Sequence, residues 1–486
     1  MKCVLILCLV MVIGLMGRSD GARILGIVPV GAKSHSIVLL SLMKELANRG
    51  HQVTVISHFP QETPTENYTD IVLKTSMVQV FSQFGSKSLF ENRHTIVYKF
   101  ISFLWDAFGE MCNLTLQEEE VQKLIHSTEE QFDVIIMEAF FNECFLGFVH
   151  KFKVPLIHVC PFGGTIWMGD WFGNPNPYSY VPDPFLNLGD KMNFRERLSN
   201  TLMGSFWKLG RRYYHLPKQN SIMKKYFGHL EDLPYISDIE EKVSLLLVNN
   251  HFSLNYPKPL MPNIIQVGGM HIKPPKQLPK DLKQYLDDAK DGVIYFSMGS
   301  NLRSTQFPEV KRKAFLQAFS AMKQKILWKW EEDTMPGKPD NVPVVGIPVF
   351  GDQELNVARA VSSGFGILLS FENITEESVS WALNEIINNP KYRENAKRLS
   401  AIYRDQPLTP MEQATYWVEY VIRHKGAPHL RSAVLDLAWY QFLLLDVIAV
   451  LALSVVAIVF ILFIIVRTLT RKVSKMRIFN RKLKVR

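Results

Sequence analysis

The feature that most constrains this chain is an unbroken apolar stretch near its C-terminus. Residues 447–466 contain a single polar side chain, that of Ser454. As a helix, a stretch of this length spans about 30 Å, the thickness of the hydrocarbon core of a bilayer. It therefore predicts one transmembrane helix, which we place at residues 441–466. Every other part of the chain must fold on one side of a membrane or the other.

Positive charge is concentrated directly after this stretch. The net charge of the chain is +9, and residues 467–486 hold nine Lys and Arg with no Asp or Glu. The rest of the chain is therefore close to neutral, so the basic composition is a topology signal and does not indicate nucleic-acid binding. The positive-inside rule predicts a cytosolic tail, residues 467–486, and a body that is luminal or extracellular.

The N-terminus fits this topology. Lys2 precedes an apolar run, and Ser19 and Gly21 have the spacing of a cleavage site, so residues 1–21 are predicted to be a secretory signal peptide. A luminal body makes three sequons candidate glycosylation sites, at Asn67, Asn113 and Asn373. The terminal residues 482–486 resemble a lysine-based retrieval signal. We therefore expect a single-pass type I protein of the endoplasmic-reticulum membrane with a luminal body.

The cysteines exclude a disulfide scaffold. Cys112, Cys144 and Cys160 remain after removal of the signal peptide. Three cysteines allow at most one disulfide within the chain, and they lack the spacing of a zinc site. We expect no metal ion.

The first part of the body has the pattern of a βαβ unit. Residues 23–29 are a short β-type run, residues 37–48 have apolar side chains at helical spacing, and residues 53–56 give a second strand after Gly50. Such a unit implies a parallel sheet that binds ligands beyond the carboxyl ends of its strands. The first loop, residues 30–36, is therefore a candidate active-site loop.

Short apolar runs recur along the body, separated by helical patterns. They lie at residues 134–137, 155–159, 243–248, 293–297 and 344–347. This alternation predicts an α/β fold with two doubly wound halves. Three prolines in residues 273–280 predict a linker between an N-terminal domain, residues 22–272, and a C-terminal domain, residues 281–430. The cleft between two such domains is a usual place for a small-molecule site.

With this layout, the sequence resembles the membrane-bound UDP-glycosyltransferases of animals, especially their invertebrate members, over nearly the whole chain. The matching motifs are GAKSHS (31–36), FNECFLG (141–147), GVIYFSMGS (292–300), ILWKWE (326–331) and VPVVGIPVFGDQ (342–353), followed by the anchor and basic tail. The resemblance implies a GT-B fold, with two Rossmann-like domains facing across a cleft. It also implies inverting transfer of a sugar from UDP to a small lipophilic acceptor.

One departure from the family pattern lies in the C-terminal domain. The family continues from the Asn-Val at this point into a Trp-Leu-Pro-Gln element, a strand, and a His-Gly-Gly turn that opens a helix ending in Glu. Here Val342 runs directly into Pro343, so roughly 35 residues of the donor-binding signature are absent by this resemblance. The absent part would carry contacts to uracil, ribose and diphosphate, and helix N-termini bind phosphates well. We therefore expect this chain to have little or no transferase activity.

Two residues are candidates for the chemistry on the acceptor side of the reaction. His35 stands at the start of a helix, where the helix dipole disfavours the imidazolium form, and a neutral imidazole can take a proton from an acceptor hydroxyl. The resemblance makes His35 the catalytic base. It makes Glu138, which follows the strand 134–137, the carboxylate that orients this base, in place of the family's usual Asp. A solvated carboxylate at a strand end is the alternative for Glu138.

On the donor side, the resemblance implies binding of the UDP-sugar by two groups of residues. Ser297, Gly299 and Ser300 form a turn whose small side chains let backbone amides approach a phosphate. Asp352 and Gln353 match the pair that holds the hydroxyls of the transferred sugar, for which a carboxylate and an amide are suited. The UDP-sugar is a co-substrate, and no separate cofactor is expected.

Two aromatic segments are candidates for the acceptor pocket. They are residues 162–185, with Trp167, Trp171, Tyr178 and Tyr180, and residues 100–108. Packing in the core or at a membrane surface is an equal alternative for both. Other histidines, including His51, His58 and His158, match no functional motif and are expected to be structural or on the surface.

The sequence thus leads to one principal hypothesis and one rival. The first is a UDP-glycosyltransferase that transfers glucose, or alternatively glucuronate, to a lipophilic hydroxyl, with the membrane and possible oligomers with other transferases as partners. The rival is a non-catalytic truncated isoform or gene model that acts as a binding partner of full-length transferases.

Overall fold

The computed structural model describes residues 21–84, 97–299, 307–329, 343–349 and 351–484, with side chains up to residue 475. The predicted signal peptide, Ser300 and Val342 therefore lie outside the described residues. The chain divides into two compact units, Met1–Arg431 and Ser432–Arg486.

The first unit is built on a seven-stranded sheet in which every strand is parallel to its neighbours. Its strand order is β3-β2-β1-β4-β5-β6-β7. The strands are β1 (Arg23–Val28), β2 (Gln52–Ser57), β3 (Tyr68–Val72), β4 (Val134–Glu138), β5 (Leu156–Cys160), β6 (Leu245–Val248) and β7 (Ile264–Gln266). The βαβ pattern is confirmed, because β1 pairs in parallel with β2 on one side and with β4 on the other.

Helices cover the sheet. They are α1 (Lys33–Asn48), α2 (Met77–Gln83), α3 (Val97–Gln117), α4 (Glu119–His126), α5 (Gly147–Phe152), α6 (Ile166–Asp170), α7 (Phe194–Gly210), α8 (Leu216–Phe227) and α9 (Ile236–Glu240). A 3-10 turn, Glu143–Leu146, precedes α5, and a π-helical turn, Arg211–His215, joins α7 to α8. Helix α1 begins four residues before the predicted start at Ile37. Its first turn is polar, so apolar periodicity alone could not reveal it.

Strand β1 contributes alternate side chains to two hydrophobic clusters, one on each face of the sheet. Ile24 and Val28 pack with α1 on one face, while Leu25 and Ile27 pack with the aromatic side chains of α3 on the other. This burial on both faces explains why the strand is a continuous apolar run in the sequence. The carboxyl end of β1, where the candidate loop begins, is thereby held firmly at the centre of the sheet.

A disulfide joins Cys112 of α3 to Cys144 of the 3-10 turn, and Cys160 is free and buried. The expectation of at most one bridge is confirmed. The bridge links α3 to the turn that follows β4. It therefore lies near the carboxyl ends of the strands, where the candidate active-site loop also begins.

The second half of this unit contains two short parallel ladders. Strand β8 (Val293–Phe296) pairs with β9 (Lys325–Trp328), and β10 (Val344–Gly346) pairs with β11 (Gly366–Leu368). Within the described residues no strand joins the two ladders. They nevertheless share one hydrophobic cluster, to which Phe296 of β8 and Leu369, just after β11, contribute.

Helices surround these ladders. They are α10 (Lys280–Asp287), α11 (Glu309–Ser320), α12 (Gln353–Ser362), α13 (Glu376–Asn388), α14 (Pro390–Arg404) and α15 (Pro410–Arg423). The last of them packs back on the seven-stranded sheet: Ala414, Val418 and Val421 are buried in the cluster of α1. Residues 410–423 thus cover the N-terminal domain, although the sequence pattern predicts that they belong to the C-terminal domain.

The second unit contains a short helix, α16 (Trp439–Phe442), and a long one, α17 (Leu445–Lys484). Residues Leu445–Lys475 have a mean hydropathy of 3.4 over their most apolar window, and they are long and apolar enough to cross a membrane. The predicted span, residues 441–466, begins within α16 and includes Leu444, a left-handed residue that separates α16 from α17. The predicted tail continues the helix to Lys484.

Candidate active site

The candidate active-site loop is fixed by hydrogen bonds at its base. The Ser36 hydroxyl donates to the carbonyl oxygen of Val30 at 3.3 Å, and the backbone N–H of His35 donates to the Ala32 oxygen at 3.0 Å. His58, at the end of β2, donates from Nε2 to the carbonyl oxygen of Pro29 at 2.9 Å. These hydrogen bonds hold the loop in one conformation, with His35 in the first turn of α1, as the sequence predicts.

His35 and Glu138 are in direct contact. The distance from His35 Nδ1 to Glu138 Oε1 is 2.7 Å, with Glu138 completely buried and His35 19% exposed. The contact arises because β1 and β4 are neighbouring parallel strands, so the loop after β1 and the last residue of β4 meet at one edge of the sheet. The predicted proximity of the two side chains is confirmed, and the alternative of a solvated Glu138 is wrong.

The electrostatics of this pair are set by burial and by the contact itself. Burial raises the pKa of the Glu138 carboxyl, while the hydrogen bond and charge of His35 and the backbone of Val30 act to lower it. A carboxylate only accepts hydrogen bonds, so the ionised Glu138 fixes the proton of the neutral imidazole on Nδ1. The lone pair of Nε2 is then available to a ligand.

Aromatic rings pack around His35. The ring centroid of Phe140 lies 4.9 Å from that of His35 in an edge-to-face arrangement, and that of Phe162 lies 6.2 Å away. These neighbours make the surroundings of the imidazole apolar, which strengthens its interaction with the buried carboxylate. Sequence reasoning did not single out Phe140, and it named Phe162 only as the start of a longer segment.

A cavity of about 170 Å³ lies next to Phe162, and neither His35 nor Glu138 lines it. Phe162, Gly163 and Gly164 line it from the loop after β5, and Asp352 and Asn356 line it from the start of α12. Phe162 also contacts His35. It therefore links the imidazole to a cavity that is also lined by Asp352, the residue predicted to hold the transferred sugar. Further lining residues come from the loop after β6: Asn249, Asn255, Tyr256, Pro257 and Lys258. No motif or periodicity in the sequence marks these residues.

Asp352 is held in place by its own helix. Asn356 Nδ2 donates to Asp352 Oδ2 at 3.0 Å. Burial raises the pKa of the Asp352 carboxyl, and this hydrogen bond and the charge of His35 act to lower it. The charge of His35 thus acts on the carboxyl that is predicted to bind the sugar.

The other predicted donor-binding residues are not all brought to this cavity. Gln353 uses Oε1 to accept from the backbone N–H of Val349 at 2.9 Å, so this oxygen is engaged in the preceding turn. Ser297 accepts through Oγ from the N–H of Gly299 at 3.2 Å in an exposed turn, and Gly299 has a left-handed φ of 82°. Gln353, Ser297 and Gly299 do not line the cavity, and Ser300 lies outside the described residues.

Most of the aromatic side chains considered for the acceptor pocket are core residues. Trp167 and Trp171 are 3% and 5% exposed, and Phe100 and Phe108 are buried in the same hydrophobic cluster. Core packing is therefore the better interpretation for these four. Of the two segments, Phe162 is the residue that both contacts His35 and lines the cavity.

Solved structures share this architecture. The chain matches the calicheamicin glycosyltransferase CalG4 with a TM-score of 0.51 at 15% identity, covering 84% of this chain and all of that one. It matches a UDP-glucose:anthocyanidin 3-O-glucosyltransferase, solved in complex with UDP, with a TM-score of 0.50 at 15% identity, covering 83% of this chain and all of that one. The fold is that of the GT-B glycosyltransferases.

Sequence comparison identifies the family to which the chain belongs. The family model described as "UDP-glucoronosyl and UDP-glucosyl transferase" matches residues 23–342 and 339–479, and the chain belongs to this family of transferases. A protein named UDP-glycosyltransferase UGT5 from Dactylopius coccus is 37% identical, with 91% of each chain covered. UDP-glucosyltransferase 2 from the same organism is 34% identical, with 94% of each covered. The 2-hydroxyacylsphingosine 1-beta-galactosyltransferase of Rattus norvegicus is 30% identical, with 95% of this chain and 91% of that one covered.

Proposed function

We propose that this chain transfers a hexose from UDP to the hydroxyl of a small lipophilic acceptor with inversion at the anomeric carbon. Glucose is the sugar we favour, and glucuronate is the alternative. The observation that carries the proposal is the 2.7 Å contact between His35 Nδ1 and Glu138 Oε1. Phe162 contacts His35 and lines a cavity that Asp352 also lines. An inverting transfer is a single displacement and needs one base on the acceptor side, and this pair supplies it.

On the acceptor side, His35 Nε2 takes the proton of the acceptor hydroxyl while the oxygen of that hydroxyl attacks C1 of the sugar. The bond from C1 to the UDP oxygen breaks and its electron pair leaves with UDP. The imidazolium that forms is stabilised by the buried Glu138 carboxylate, 2.7 Å away. Phe140 and Phe162 exclude water from the base and offer an apolar surface to a lipophilic acceptor.

On the donor side, we assign the hydroxyls of the transferred sugar to Asp352, which lines the cavity. We assign Gln353, in the same turn, a role in binding the donor through its side-chain amide. We assign Ser297, Gly299 and Ser300 to the phosphates of UDP. These donor assignments rest on the family motifs, and the position of Asp352 in the lining of the cavity supports the first of them.

The same proposal includes an incomplete donor site. The family model matches this chain in two pieces that meet at residues 339–342, the point at which the motif comparison suggests that roughly 35 residues are missing. The alignment with UGT5 extends over 487 positions although it covers 91% of this 486-residue chain. The separation of the β8–β9 and β10–β11 ladders also fits the loss of an intervening strand.

The test is an assay of the full-length chain, purified in detergent, with UDP-glucose or UDP-glucuronate and a lipophilic phenol. We expect slow formation of the β-linked product from the α-linked donor, identified by mass and by the NMR coupling of the anomeric proton. A product that retains the α configuration would contradict the single displacement and the role of His35.

We also propose that the first unit lies in the lumen of the endoplasmic reticulum, with α17 as a type I anchor and the basic tail in the cytosol. The apolar span Leu445–Lys475 supports the anchor. The cations after it and the terminal lysines support the orientation and the compartment.

Glycan attachment gives a prediction for this topology. Asn67 and Asn373 are exposed, whereas the Asn113 side chain on α3 accepts hydrogen bonds from Lys225 Nζ at 2.9 Å and Tyr226 Oη at 2.8 Å. We expect two glycans, removed one at a time by Asn67→Gln and Asn373→Gln and unaffected by Asn113→Gln, as measured by gel mobility with and without glycosidase. A chain from cells that carries no glycan at any of the three sites would contradict the luminal placement.

A further inference from the structure

Helix α7 has an apolar stripe on the face that points away from the protein. Phe194, Leu198, Leu202 and Leu209 are 70%, 48%, 55% and 58% exposed. Their spacing of four, four and seven residues places them within one narrow arc of the helix. Tyr213, in the π-helical turn that follows, is 70% exposed and extends the series.

The opposite face of α7 is firmly packed, so the exposure of the stripe is a property of the folded unit. Met203 and Trp207 are completely buried in the core cluster. Asn200 is also buried, donating through Nδ2 to the carbonyl oxygens of Tyr178 and Val181, both at 2.8 Å. A capping box formed by Asn193 and Glu196 fixes the start of the helix. Rotation that would bury the leucines would break all of these contacts.

Cations border the stripe. Lys191, Arg195 and Arg212 are exposed near its two ends. The nearest acidic side chain on the helix, Glu196, is engaged with the backbone N–H of Asn193 at 2.7 Å. An apolar stripe with aromatic ends and a basic border is the composition of a helix that lies in the interface of a membrane with anionic lipids.

We propose that α7 binds the surface of a lipid bilayer, with the stripe Phe194, Leu198, Leu202 and Leu209 inserted among the acyl chains and the bordering cations against lipid phosphates. The inference rests on the proposed anchor, because the short stretch 432–444 that joins the first unit to α17 keeps a bilayer within reach. The bilayer is thus the partner that an anchored chain always has beside it.

The test uses the full chain in vesicles of phosphatidylcholine and phosphatidylserine, labelled with an environment-sensitive fluorophore at a single introduced cysteine. Leu202→Cys reports on the stripe, and Leu316→Cys, on α11, is the matched control because Leu316 is 52% exposed and Leu202 55%. We expect a blue shift at position 202 and a loss of about half of its emission when the lipids carry brominated acyl chains, with no such loss at position 316.

The outcomes separate this proposal from its alternatives. Adding Leu198→Glu and Leu209→Glu to the Leu202→Cys chain should reduce the quenching to that of the control, while circular dichroism stays unchanged because both side chains are exposed. Equal quenching at positions 202 and 316 would overturn the proposal. A blue shift without bromine quenching that grows with protein concentration would also overturn it, in favour of contact between two copies of this chain. Failure of the labelled chain to float with the vesicles would instead refute the anchor.

Discussion

Inserting the family segment that we propose to be absent between Val342 and Pro343 is expected to raise the transferase turnover of this chain by roughly a hundredfold to a thousandfold or more. Each strong electrostatic contact to the departing group is typically worth about that factor, and the family segment carries several contacts to uracil, ribose and diphosphate. Among the predicted donor residues that the structure describes, Asp352 lines the cavity, and its proposed contact is with the transferred sugar. The measurement is turnover of UDP-glucose by both purified chains with the same acceptor.

A matched control separates chemistry from simple completion of the fold. A third chain carries a Gly- and Ser-rich insert of the same length at the same junction, which relieves any strain between β9 and β10 without supplying donor contacts. We expect its turnover to stay at the level of the unmodified chain. Equal turnover by the unmodified chain and the chain with the family segment would mean that the donor is held by residues other than those we assign.

The second large effect concerns the base. In the chain with the restored segment, His35→Ala is expected to lower kcat by about 10² to 10⁴, the usual contribution of a general base. The KM for the UDP-sugar should change little, because His35 acts on the acceptor. His150→Ala is the control: this histidine is on the surface, where it donates to the carbonyl oxygen of Glu231 at 2.8 Å. The activity of the control should be unchanged.

Glu138→Gln tests whether Glu138 acts through His35. The amide keeps the size of the side chain but removes the charge that stabilises the imidazolium, so kcat should fall while donor binding stays the same. Burial raises the pKa of Glu138, so its ionised form is lost as the pH falls, and kcat/KM should decline on the acid side. An unchanged kcat in Glu138→Gln would remove Glu138 from the mechanism, and an unchanged kcat in His35→Ala would remove the base itself.

The pairing of His35 with Glu138 was predictable from the family resemblance together with the βαβ pattern. A parallel βαβ pattern places the loop after β1 and the end of a neighbouring strand at the same edge of the sheet. Both residues are marked in the sequence, one by the start of a helix and the other by the end of an apolar run. The details of the contact, such as the use of Nδ1 rather than Nε2, depend on side-chain packing and could not be predicted.

Other parts of the fold left weaker signals. Strand β3 has the mixed sequence YTDIV at the edge of the sheet, and β7 has three residues, so neither gave an apolar run long enough to identify. Helix α15 is amphipathic, but its pattern does not say which sheet it covers. The position of α15 against α1 is fixed by tertiary packing, together with the contact of Arg49 Nη1 with Glu419 Oε1 at 3.1 Å.

The cavity residues show a similar limit. Asn249, Tyr256 and Lys258 lie in a loop whose length and composition resemble those of many surface loops, and only the fold brings them opposite Asp352. For Gln353, a family motif predicted a sugar contact, whereas the local turn directs its Oε1 to the backbone of Val349. A motif thus identifies the turn, while the hydrogen bonds within that turn decide which atoms remain free for a ligand.

The central claim is that this chain has an assembled acceptor-side base and an incomplete donor site. Calorimetric titration with UDP tests it most directly, because UDP contains the uracil, ribose and diphosphate that the family segment would contact but lacks the transferred sugar. We predict that the chain with the restored family segment binds UDP at least about a hundredfold more tightly than the unmodified chain, equivalent to roughly 2.7 kcal/mol. Equal affinity of the two chains for UDP would contradict the account.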